Sequence, residues 1–95
     1  MDDHRAIVDQ YLRAQFPGAA IRDDHDPERH GHWWSITLDE QIMMLRVSQE
    51  FLTGGSDDAA RITLTDFDVA RALRESAGRA VILTDRLDYQ PEEPA

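Results

Sequence analysis

The stretch His32–Val47, HWWSITLDEQIMMLRV, reads as two β-strands folded back on a short turn, and the rest of the chain is laid against it. It carries both tryptophans and the two internal methionines. With Asp39 and Glu40 as the loop, Leu38 faces Gln41, Ile36 faces Met43, Trp34 faces Leu45 and His32 faces Val47, because directly paired residues point to the same side of a sheet. That side is apolar along most of its length. The other side pairs Thr37 with Ile42, Ser35 with Met44 and Trp33 with Arg46, a mixed surface. A one-residue slip would exchange the two sides, so the pattern itself selects the register. Asp-Glu is not the Asn-Gly or Asp-Gly pair that a two-residue mirror-image turn prefers, which leaves a four- or five-residue loop as the alternative.

On either side of the hairpin the pattern changes period. Residues 2–16 have Ile7, Val8, Tyr11, Leu12 and Phe16 at helical spacing behind Asp2 and Asp3, and Pro17-Gly18 ends the run, so a helix is expected there. Residues 19–24 read as a short strand with Ile21 inward. After Val47, Ser48 is placed to cap a single helical turn that Gly54-Gly55 closes. Residues 60–64, ARITL, alternate Ile62 and Leu64 and read as a strand. Thr65 then caps a second helix with Phe67, Ala70, Leu73 and Ala77 as its buried stripe and Gly78 as its stop. Residues 79–84 read as a strand internal to the sheet, because Ala80–Leu83 is a continuous apolar run.

The expected order is therefore α-β-β-β-(short α)-β-α-β, an α+β two-layer sandwich with a mostly antiparallel sheet built on the hairpin and two helices against it. If strands 62–64 and 80–83 are neighbours, they form a parallel crossover within that sheet. One domain over residues 1–89 is expected, followed by a disordered acidic tail, residues 90–95.

Composition excludes more functions than it suggests. There is no cysteine, which removes disulfides, thiolate metal sites and cysteine nucleophiles. All ten basic residues are arginine, a bias that fits a high-GC bacterial genome and excludes Schiff-base chemistry. Nineteen acids leave a formal charge of −9, which repels phosphate and anionic lipid, so neither nucleic acid nor membrane is an expected partner. No apolar run is long enough to span a bilayer, and the acidic start is unlike a secretory signal, so a cytoplasmic protein is expected. The serines lie in no nucleophile-elbow context, and the adjacent acid pairs stand in exposed segments, so no catalytic activity and no cofactor are expected.

Two functional readings follow. In the first, helices cover one side of the sheet and Trp33, Ile42, Met44 and Arg46 on the other form a partner-binding surface, since tryptophan, methionine and arginine are enriched at interface cores. Its partner is a protein, a basic one or a second copy of the chain, and inhibitor or immunity proteins are a class that the charge permits. The competing arrangement has the first helix, or the C-terminal segment through Leu87 and Tyr89, folded over that side. In the second reading, the Asp/His-rich loop 23–32, with Asp24, Asp26, Glu28, His30 and His32, makes a metal- or small-ligand-responsive domain. Arg29 stands where a calcium loop has its glycine and no zinc spacing is met, so no metal site is assigned.

Overall fold

The computed structural model describes residues 4–26, 31–76, 79–84 and 86–89. The elements are α1 (Arg5–Gln15), β1 (Ala20–Asp26), β2 (Gly31–Leu38), β3 (Gln41–Ser48), α2 (Gln49–Thr53), α3 (Asp57–Asp66), α4 (Val69–Glu75), β4 (Val81–Leu83) and β5 (Leu87–Tyr89). They build an α+β fold with one five-stranded sheet in the order β1-β2-β3-β4-β5. All neighbours are antiparallel except β3 and β4, which run parallel.

The hairpin takes the register that the parity of its side chains requires, with Trp34 opposite Leu45, Ile36 opposite Met43 and Trp33 opposite Arg46. Its loop has only two residues. Asp39 (φ 49°) and Glu40 (φ 70°) both adopt positive φ, as a type I′ turn demands, although neither is the asparagine or glycine that does so with least strain. Gly31 opens β2 where a Cβ would collide with the carbonyl oxygen of Val47, so only glycine lets β2 and β3 approach there.

Every buried side chain of the sheet lies on one face. Register carries that face from Trp34 and Ile36 through Leu45, Met43 and Val47 to Val81 and Leu83. Against it pack Ile7, Val8, Leu12 and Phe16 of the first helical segment, Leu52 of α2, Ala60 and Leu64 of α3, and Val69, Ala70 and Leu73 of α4, in one contiguous core. At about 25 cal/mol per Å² of apolar surface, burial of side chains of this size stabilises by roughly 1.5–3 kcal/mol each.

Several expectations need correction. Residues 60–64 are not a strand but the middle of α3. Ser56 caps that helix by accepting from the Ala59 N–H (3.1 Å), and Asp57 and Asp58 occupy its first turn, where the helix dipole favours acids. Ala60 and Leu64 then point inward one turn apart, and Ile62 stays 59 % exposed. The second long helix accordingly shortens to α4, and Thr65 does not cap it: its hydroxyl donates to the Arg61 carbonyl within α3 (3.1 Å). Phe67 lies at the exposed end of α3 rather than in a buried stripe.

The parallel partner of β4 is β3, and α2, α3 and α4 form the connection between them. The Asp/His-rich stretch is also less of a loop than expected. Asp23–Asp26 belong to β1 and Gly31–His32 to β2, leaving only residues 27–30, which lie outside the described residues. The expected start of the first helix at Asp2 and Asp3, its counterpart stop at Gly78 and the acidic tail 90–95 lie outside them too. Among the described residues no helix is long and apolar enough to cross a membrane.

Candidate functional site

The sheet face turned away from the helices gathers the expected partner-binding residues. Ile42, Met44 and Arg46 alternate along β3, so all three project from that face, and Trp33 enters it from β2 as the cross-strand partner of Arg46. Register extends this row across the sheet: Asp24, Trp33, Arg46, Ile82 and Asp88 stand side by side on β1 to β5. A second row holds Arg22, Ser35 and Met44, and a third Ala20, Thr37 and Ile42. Ile42 is 61 % exposed, while Trp33, Met44, Arg46 and Ile82 are half-buried by their neighbours in the sheet.

None of the described helices lies over this face, because their buried residues join the core on the other side. Nor does the described part of the C-terminal segment fold across it. Leu87 and Tyr89 form β5 at the sheet edge, paired with Leu83 and Val81, and so point to the helix side. Leu87 packs on the core there.

Charge is distributed unevenly over the face. Arg46 lies within it, Arg22 and Asp24 stand together on edge strand β1, Asp88 on edge strand β5, and the Asp39-Glu40 turn beyond Ile42 at the hairpin tip. A centre of Trp33, Met44, Ile42 and Ile82 around Arg46 results, with acids at the hairpin tip and the β5 edge and one charge of each sign at the β1 edge. Edge strand β1, with Arg22, Asp23 and Asp24 in its middle, resists pairing with another strand, since charged side chains on an edge discourage strand addition. Ile82, Arg22, Asp24 and Asp88 enter the site only through strand order, which no local pattern in the sequence reveals.

The Asp/His stretch is divided by strand parity. Asp23 and His32 lie toward the helix side, where His32 Nε2 donates to Asp23 Oδ2 at 2.6 Å and the buried ring meets that of Trp34 at 4.8 Å between centroids. Asp24 lies on the opposite face and accepts from the His25 N–H at 2.7 Å. The pair Asp23–His32 closes the rim of the core between β1 and β2. Among the described residues no three His, Asp or Glu side chains come together as metal ligands; Glu28 and His30 lie outside them.

The other buried histidine, His4, sits at the start of α1. Its Nε2 donates to the Gly54 carbonyl (2.9 Å) and its Nδ1 lies 3.0 Å from Asp57 Oδ1, while its backbone N–H donates to Leu52 O (2.8 Å). With an acceptor at each ring nitrogen, making both bonds at once needs a proton on both. His4 thereby ties α1 to the junction of α2 and α3. No protein-family model matches this chain, and no curated protein and no solved structure shows significant similarity to it.

Proposed function

We propose that this protein is a non-catalytic, cytoplasmic interaction module that docks the open face of its sheet onto a basic protein surface. The observation that carries the proposal is the row Trp33–Arg46–Ile82, with Met44 and Ile42 beside it, left open by the helices and bordered by Asp88, Asp39 and Glu40 and by Asp24 beside Arg22. Aromatic, methionine and arginine side chains concentrate binding energy at interface centres, and a charged rim sets partner choice and encounter rate. A second copy would bring the same acid rim against its own in a molecule of charge −9, which disfavours self-association. A partner with an apolar centre and a basic border meets both features.

The test combines light scattering with affinity capture from the source organism, using the native chain, Trp33→Asp and Ile62→Asp. Ile62 is the control because it is exposed apolar surface on the helix layer. The expected result is a monomer that captures a basic protein, loses it in Trp33→Asp, keeps it in Ile62→Asp, and binds it more weakly as salt rises. A dimer dissociated by Trp33→Asp, or a partner retained by that variant, overturns the proposal. The metal-responsive reading predicts instead a loss on replacing His30 and His32, and the pairing of His32 with Asp23 inside the core rim argues against it.

A further inference from the structure

A second site of different chemistry lies on the opposite layer, in a cleft of about 290 Å³ between α2 and α3. Phe51, Phe67, Ala59 and Ala60 line it together with Glu50, Gly54, Thr63 and Thr84. Phe67 is 37 % exposed, an unusual state for phenylalanine on a helix that contributes to the core.

The donors around this cleft are already engaged. Thr63 Oγ1 donates to Ala59 O (2.9 Å) and Thr84 Oγ1 to Arg86 O (3.4 Å). The main-chain N–H groups of Phe51, Gly54, Ala59 and Phe67 go to Ser48 Oγ, Glu50 O, Ser56 Oγ and Thr63 O. Among the described residues no arginine or histidine lines the cleft. Its lining thus combines two phenylalanines, the hydroxyl of Thr63 and one acidic residue, a set that rewards a donor with positive charge and gives an anion little. His4, behind Phe51 and Gly54, has both ring nitrogens directed at Gly54 O and Asp57 and presents no donor to the cleft. Asp57 and Asp58 in the first turn of α3 add to the negative potential nearby.

We propose that this cleft binds a small organic cation, an ammonium carried on a single aromatic or alkyl group. Its volume of about 290 Å³ falls just below the usual range of ligand pockets, which suits a ligand with one ring. The ring packs against Phe51 and Phe67, and the ammonium faces Glu50. This site is independent of the open sheet face.

The experiment is an amide chemical-shift titration of the whole chain at about 0.15 M salt, where exposed charges beyond about 8 Å are screened. The probes are 2-phenylethylammonium, neutral 2-phenylethanol and anionic 3-phenylpropanoate. The ammonium is expected to shift Phe51, Gly54, Ala59, Thr63 and Phe67 saturably, with 3-phenylpropanoate at least 10-fold weaker. Glu50→Gln should weaken the ammonium about 3- to 5-fold and leave 2-phenylethanol unchanged, as a partly exposed charge contact would. Phe67→Ala should abolish saturation for both. Equal binding of the anion, insensitivity to Phe67→Ala, or shifts that spread over the acidic surface without saturating would overturn the proposal.

Discussion

The hydroxyl of Tyr11, on α1, accepts a hydrogen bond from the backbone N–H of Ala70 at 3.0 Å and so caps α4 from across the molecule. The cap residue of α4 itself, Asp68, stands in the left-handed region (φ 51°) and makes no side-chain cap bond. Arg74 of α4 returns the contact: its guanidinium donates to Gln15 O (3.1 Å) at the end of α1 and lies 5.0 Å from the centroid of Phe16. Each helix thus supplies a missing partner for the other's terminus, where backbone groups are otherwise unsatisfied.

Tyr11→Phe keeps the ring in place and removes the acceptor, so it should cost about 1 kcal/mol in urea unfolding at pH 7. Burial pushes the Tyr11 phenol above its usual range, with the Ala70 N–H bond opposing. The neutral phenol is then favoured by folding. The stability it contributes is complete below the unfolded-state value near 10 and is lost as pH rises through the folded one. Wild type should lose stability above about pH 10 more steeply than Tyr11→Phe; parallel curves for the two proteins would count against desolvation of the phenol by folding.

The two tryptophans, adjacent in sequence, should behave as opposites. Trp34 is fully buried and Trp33 half-buried on the open face. Trp34→Ala should destabilise by about 3–5 kcal/mol and Trp33→Ala by under about 1 kcal/mol. Trp34 Nε1 is buried with no hydrogen-bond partner among the described residues. Trp34→Phe should therefore cost less than its lost volume implies, since it also removes a desolvated donor. Equal losses for the two alanine variants would mean that both sheet faces are covered.

Residues 60–64 separate two readings of one segment. A strand would bury Ile62 and Leu64 together; α3 buries Leu64 and leaves Ile62 out. Leu64→Ala should cost about 2–5 kcal/mol and Ile62→Ala under about 0.5 kcal/mol. A comparable loss at both positions would restore the strand.

That segment also shows where the sequence stopped being legible. The hairpin and the common face of Trp33, Ile42, Met44 and Arg46 follow from alternation between neighbours, a local property that strand pairing preserves. In 60–64 the β-branched pair Ile62 and Thr63 favours a strand, and it is outweighed by the Ser56 cap, two acids in the first turn and the Ala60–Leu64 spacing. The cap was the available signal, since serine followed by two acids marks a helix start. The Tyr11 cap of α4, the pairing of β3 with β4 and the arrival of Ile82 beside Arg46 join residues far apart in the chain, and nothing in their local pattern announces them.

The hairpin tip carries the last prediction. Asp39 and Glu40 both hold positive φ, which aspartate tolerates and which costs Glu40 roughly 1 kcal/mol or more. Their exposed side chains belong to the acid border of the open face, next to Ile42. Replacing them by Asn-Gly should stabilise the fold by about 1 kcal/mol and raise the unfolding midpoint without changing the denaturant slope, because the turn geometry is retained and its strain relieved. The same variant removes two charges from the border, so it should slow capture of a basic partner while the Trp33 contact persists. A destabilised Asn-Gly variant would show that the loop is longer than two residues; a stabilised variant with unchanged association would remove the turn from the interface.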